Sequence, residues 1–421
     1  LGKTLRRPAL ANKEAGRKAL KPHREKGMDK RHLPFIDNLR ILLICLVIMV
    51  HLSVTYGGAG SWYYKEGRPD ELSFALLTLH NATVQAFSMG LFFLIAGYFT
   101  PVSYDRKGPW RFLRDRLMRL GAPLLFYDFI INPLLAYPLI QVRAWEFNRS
   151  YREYLTMYYR SFHIGTGPLW FVEALLIFAF IYVFWRLLKN PVRNNLERCS
   201  ISNGTKSSAA PSHRNQKFPG NKAIVLFSFA LGFVSFVVRI WLPVGWTFEP
   251  LNLQFPFFTQ YICLFFVGII AYHRNWLTGI GSNIGKLWLS VAIVLILMLP
   301  LLFVVGGGLN GDIRPFGGGL HWQSLAYSLW EQSLSTAVIV ALLVLFREKL
   351  NRQGKLTKAM SAGAYTAYII HAPVIILLAL SIKNVTLSPL LKFAVASLIA
   401  VPLCFALGNL LRKLPLARNI L

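Results

Sequence analysis

An arginine and a histidine separated by ten apolar residues, Arg40-ILLICLVIMV-His51, are the pair in this chain best spaced for chemistry. At about 100° per residue, eleven steps close roughly three helical turns, so both side chains fall on one face, about 16 Å apart along the axis. An imidazole in hydrocarbon is costly and faces a protein cavity more often than lipid. Such a histidine can act as a general base, with the arginine as an anion contact at the far end. The same pattern also fits a neutral histidine hydrogen-bonded between helices and an arginine snorkelling at a helix start.

Further ionisable groups interrupt other apolar stretches: Asp128, Glu173, Arg239, Glu331 and His371. A carboxylate beside an imidazole orients it and supports its cationic form, which makes Glu173 and Glu331 candidate catalytic partners of His51. Both glutamates also fit helix–helix hydrogen bonding as neutral acids. His371, in AYTAYIIHAPV, is expected either to line a pore or to brace a proline-containing helix. Asp128 lies among Pro123, Pro133 and Pro138, where it can line a pore or satisfy freed backbone groups. Arg239 reads as a snorkelling residue. A second signal is KGPWRFLRDRLMRLGAP, residues 107–123, where Arg111, Arg114, Arg116 and Arg119 crowd a helix entrance. Arginine forks bind phosphates bidentately, and the same cluster fits an ordinary topology anchor.

These residues must be held by membrane-spanning helices. The chain has 421 residues, 54% of them hydrophobic and 15% charged. Apolar runs recur along its length, which predicts an all-α integral membrane protein. About ten spans of sufficient length are expected in one bundle, near 39–56, 83–100, 120–140, 168–188, 223–243, 256–273, 287–305, 325–346, 362–382 and 389–411. The formal charge of +28 would suggest nucleic acid in a soluble chain. Here the Lys and Arg residues fall in alternate loops, so the charge reads as positive-inside patterning with both termini cytoplasmic and no nucleic-acid partner. Residues 1–33 read as a basic disordered arm, either solvated or touching anionic lipid headgroups. Residues 34–411 read as the membrane domain, 189–222 as a flexible cytoplasmic loop within it, and 412–421 as a short cytoplasmic tail. The glycine-rich 306–320 segment reads as a mobile outer loop. Cys45, Cys199, Cys263 and Cys404 show no metal-ligand spacing, so neither a metal site nor a disulfide framework is expected.

In order along the chain, the motifs resemble the acyltransferase 3 family of integral membrane acyltransferases. Arg40-x10-His51 matches its first-helix motif, and SMGLFFLIAGYFTP (88–101) its FFxxSGY-type segment, with Ala96 where serine is common. Arg114-Asp115-Arg116 matches the Arg-x-Arg motif, GPLWFVEALL (167–176) the Leu-Trp-Phe segment, and Tyr368-x-x-His371 the late Tyr-x-x-His segment. The nearest likeness is to the glucan-modifying branch, which includes succinyltransferases. The resemblance implies a cell-membrane enzyme with no bound cofactor. It would move an acyl group from cytoplasmic acyl-coenzyme A to a hydroxyl of a glycan or other exported acceptor. His51 would be catalytic, and Arg40, Arg114 and Arg116 would bind the donor. The residues alone also allow a proton-coupled carrier of a lipid-linked or small solute.

Overall fold

A computed structural model describes residues 2, 33–143, 150–160, 166–201, 218–249, 251–308 and 313–418. The expected arm, the greater part of the segment 202–222, the centre of the glycine-rich loop and the last three residues lie outside the described residues. The described chain is helical throughout apart from short turns and a single bridge, Phe248 to Leu253.

Nine segments among the described residues are long and apolar enough to cross a membrane. α1 is Pro34–Thr55, opened by a proline at its first position and an aspartate, Asp37, in its first turn, both suited to a helix N-terminus. α2 is Glu71–Arg116, capped by Asp70, whose carboxylate accepts from Ser73 N at 2.9 Å. Two π-turns (Leu117–Gly121 and Tyr127–Ile131) and α3 (Ala122–Phe126) lead into α4, Asn132–Arg143. The loop expected at 101–119 is therefore helical on both sides of a break at Gly108, where φ is 74° and ψ 169°. This is a conformation open to glycine, and Pro109 follows to start the next turn. Basic composition alone did not interrupt the helix; the Gly-Pro pair did.

α5 (Tyr151–Arg160) is short and rich in tyrosine; α6 is Trp170–Ile201. α6 runs past residue 188, where the sequence ends its span, to Ile201. α7 (Asn221–Trp241), α8 (Phe258–Arg274), α9 (Trp276–Gly279), α10 (Ser282–Val305), α11 (Arg314–Gly317), α12 (Trp322–Lys349), α13 (Lys355–Ser381), α14 (Pro389–Leu411) and α15 (Pro415–Arg418) complete the chain. α1 sits in the middle of the bundle, packed on α2, α12, α13 and α14. Large apolar side chains such as Phe184, Leu226, Leu297 and Leu398 point outward, as expected of a surface facing lipid.

Two prolines of the bent segment withhold an N–H from the carbonyl four residues earlier. The Arg119 carbonyl, four before Pro123, accepts the Tyr365 hydroxyl of α13 at 2.6 Å. The Phe129 carbonyl, four before Pro133, accepts the Tyr159 hydroxyl of α5 at 2.7 Å. Tyrosines, not Asp128, satisfy these groups: a phenol on a neighbouring helix reaches a carbonyl, whereas a carboxylate has no proton to donate to one.

α2 and α8 approach most closely through two glycines. A Cβ on Gly97 would stand 2.1 Å from the Phe265 carbonyl oxygen, and one on Gly268 would stand 2.1 Å from that of Leu94. Backbone meets backbone in both directions, as in small-residue contacts between membrane helices. Gly97→Val or Gly268→Val is expected to lower stability by about 1–3 kcal/mol through overpacking, read as a fall in melting temperature in detergent. Gly281→Ala, with nothing within 4 Å of its added carbon, should leave it unchanged.

Candidate active site

His51 lies one turn from the end of α1 and is half-buried. Its imidazole packs face to face on the indole of Trp62, with ring centroids 3.8 Å apart and 19° between planes. His371 of α13, fully buried, is its other aromatic neighbour, with a centroid distance of 5.1 Å and 22° between planes. Nδ1 of His371 bonds to the backbone carbonyl of Tyr368. The sequence treats the two histidines separately; helix packing of α1 on α13 brings them together.

Trp62 belongs to a loop that the sequence leaves without a role. Three glycines in YGGAGSWYY let the chain turn back over the end of α1. The turn is fastened on several sides. Gly58 N donates to the Ser53 carbonyl at 2.8 Å and Glu66 N to that of Thr55 at 2.8 Å. Asn81 of α2 donates to the Ala59 carbonyl at 2.9 Å, and Glu66 pairs with Lys392 of α14. Beside Trp62, the Tyr63 hydroxyl donates to Asn132 Oδ1 at 2.8 Å and lies 3.3 Å from that of Tyr127. Burial raises the Tyr63 hydroxyl well above the ordinary tyrosine value, so it remains a donor. An aromatic pair next to a glycine turn, directly after a helix carrying a buried histidine, is the signal that could have found it.

Glu173 stands in the first turn of α6, buried, within reach of Thr166 and Asp128, with Oε2 unpartnered. Its segment borders the histidines: the Tyr368 hydroxyl donates to the Pro168 carbonyl, and a Cβ at Gly167 would strike the Tyr63 hydroxyl. Asp128 is buried in the same region, near Tyr63 and Tyr127. Glu331 is placed differently. Its Oε2 lies 2.6 Å from Arg239 Nη2, and both side chains are fully enclosed. Ser328 Oγ accepts from Arg239 Nη1 at 3.1 Å, and Gln332 donates to Glu331 at 2.9 Å. Arg239 therefore does not snorkel, and Glu331 meets a guanidinium rather than an imidazole. The two lie on α7 and α12, whose packing joins them; nothing in the spacing of residues 239 and 331 reveals it.

At the other end of α1, Arg40 is partly exposed, 3.2 Å from Asp37 and over the Phe99 ring at 5.0 Å. Arg116 covers the Phe112 ring at 5.1 Å and lies within electrostatic range of Arg40, Arg119 and Tyr365. Arg114 stands apart, 66% exposed and 3.9 Å from Asp115. The reason is helical geometry. Residues two apart point to different sides, whereas Arg116 and Arg119, three apart, share one. The cationic mouth is thus Arg40, Arg116 and Arg119, with Arg114 on the rim.

The model for an acyltransferase domain matches residues 33–409. The chain belongs to the acyltransferase 3 family. It is therefore an integral membrane acyltransferase, which settles the choice between enzyme and carrier that its residues left open. Glucans biosynthesis protein C of Escherichia coli O157:H7 is 24% identical over 400 residues, covering 91% of this chain and 92% of that protein. The counterpart from E. coli O81 (strain ED1a) aligns over the same length with the same identity. That from E. coli strain SMS-3-5 is 26% identical over 250 residues, or 56% of this chain and 57% of the relative. No solved structure matches the chain.

Removing one partner of a buried ion pair leaves a charge without compensation and costs about 3–5 kcal/mol. Glu331→Gln is accordingly expected to lower the melting temperature markedly while each folded molecule keeps its turnover, measured as coenzyme A release per mole of monodisperse protein. A lost turnover at unchanged stability would return Glu331 to the reaction.

Proposed function

We propose that this acyltransferase moves an acyl group from acyl-coenzyme A, bound at the Arg40 end of the bundle, to a hydroxyl of a glucan or related glycan reaching the His51 end. The observation that carries this reading is one continuous helix, α1, with a cationic mouth near its start and a half-buried imidazole eleven residues on. The donor's phosphates suit the guanidinium forks of Arg40, Arg116 and Arg119. Arg114 makes a weaker rim contact. A thioester on a long flexible arm suits a depth of about 16 Å. His51 takes the proton of the acceptor hydroxyl as it attacks the thioester carbonyl, and returns it to the departing thiolate. Glu173, with an unpartnered oxygen near Thr166, serves as an acceptor-side contact. Asp128 and His371 stand in the same region.

The break at Gly108 divides the 70-residue segment Glu71–Ile140 into two crossings. Read so, the chain crosses the membrane ten times, and the alternation of basic loops supports a topology with both termini and the arginines on the cytoplasmic side. The glycan acceptor follows from the relatives, each a glucans biosynthesis protein C. Succinyl- and acetyl-coenzyme A are the donors to try.

Purified protein is expected to bind acyl-coenzyme A saturably. Arg116→Ala should weaken binding about tenfold or more and Arg114→Ala less, since a charge-assisted contact is worth about 1.5–3 kcal/mol. His51→Ala should bind the donor and transfer nothing. Full transfer by His51→Ala, or equal effects of the two arginine changes, would contradict the scheme.

A further inference from the structure

The three near-parallel rings at His51 are not a stack of three. If His51 lay between the other two, Trp62 and His371 would be separated by the sum of the two spacings. Their centroids are 6.0 Å apart. With 3.8 Å from His51 to Trp62 and 5.1 Å from His51 to His371, the angle at His51 is close to a right angle. Trp62 covers the face of the His51 ring, and His371 lies beside it, edge toward edge. Imidazole nitrogens turned toward each other at this spacing come within roughly 3 Å, a hydrogen-bond distance.

The tautomer of His371 follows from its one bond. The Tyr368 carbonyl can only accept, so Nδ1 of His371 carries the hydrogen. Its Nε2 is then a bare acceptor, and in this fully enclosed side chain it has no partner. Nδ1 of His51 is likewise buried without a partner. Two neighbouring rings thus each hold an unmatched nitrogen, and pairing them would satisfy both, as buried polar groups usually are. Rotation of the His51 ring about its last side-chain torsion, which is broad for histidine, would turn Nδ1 toward His371 Nε2 while His371 keeps its bond to the Tyr368 carbonyl.

We propose that His371 is the positioning residue for His51, filling the place that a carboxylate holds in most catalytic triads. The inference rests on His51 being the base. His371 Nε2 accepts from His51 Nδ1–H, which fixes the tautomer and leaves His51 Nε2 free toward the acceptor. In the transfer, the hydroxyl oxygen bonds to the thioester carbon and its proton passes to His51 Nε2. The carbon–sulfur bond then breaks, and the thiolate takes that proton from His51. His371 neither gains nor loses a proton; it accepts a stronger bond from the transient imidazolium. Neither Glu173 nor Glu331 is needed for this.

The test pairs two amides. His371→Asn keeps a donor for the Tyr368 carbonyl and removes the acceptor facing His51. His371→Gln extends an amide oxygen to that acceptor position. With succinyl- or acetyl-coenzyme A and a glucan oligosaccharide, His371→Asn is expected to lose about 100-fold in kcat, the usual scale for one acid–base contribution, with donor binding unchanged. His371→Gln should recover a good part of it. With hydroxylamine, which attacks thioesters without a base, His371→Asn should approach the wild-type rate. The inference is overturned if His371→Asn is fully active on the glucan. It is equally overturned if both variants are slowed alike on both acceptors with weakened donor binding, as a packing defect would do. Full activity of His51→Ala would instead remove the base itself, a different failure seen in a different variant.

Discussion

Water is scarce inside the bundle, and every polar group placed there must find its partner among neighbouring helices. That constraint shows in how the buried polar residues pair. Arg239, Glu331, Ser328 and Gln332 answer one another, and Gln260 ties α8 to the Ala86 carbonyl and to Gln332 and Ser335 of α12. Tyr159 and Tyr365 attend to carbonyls that prolines leave unserved. These contacts hold helices at fixed spacings and rotations. Other buried polar atoms have no protein partner, and around His51 these include His51 Nδ1, His371 Nε2 and Glu173 Oε2. In a low-dielectric interior an unserved atom is expensive, and it is the natural place for a reaction to act.

The scaffold explains why these atoms stay where they are. α1 is surrounded by four helices, so neither its rotation nor its height is free. The close approach of α2 and α8 through Gly97 and Gly268 fixes the helix that carries Phe99, on which Arg40 rests. The residues after α1 are fastened to α1, α2 and α14, which holds the indole of Trp62 flat on His51. Mouth and imidazole are thus two ends of one rigid rod.

The all-helical class, nearly all of the spans and the two ends of α1 were legible in the sequence, because hydrophobic length and a spacing of eleven are local properties. The helical run through 101–119 was less legible, since charge density signals topology but not backbone conformation. Arg114 and Arg116 read as a pair in a linear motif, yet a helix turns them apart and exchanges Arg114 for Arg119. Glu331 looked like a partner for an imidazole because its position along an apolar span, and so its depth, was the only coordinate available. Depth says nothing of azimuth, and Arg239 occupied the neighbouring azimuth. The meeting of His51 with His371 and Trp62 is a tertiary fact of the same kind, set by which helices touch.

The placement of Trp62 bears on fidelity. In the proposed mechanism, a thioester beside His51 would be open to attack by water, which would spend the donor and yield only free acid. An indole laid on one face of His51, on a loop fastened along its length, shields that face and leaves approach to the nitrogens to the ring's edge. In that scheme the competition between productive transfer and futile hydrolysis turns on residence: a sugar hydroxyl with binding contacts of its own would stay at that edge longer than a stray water molecule.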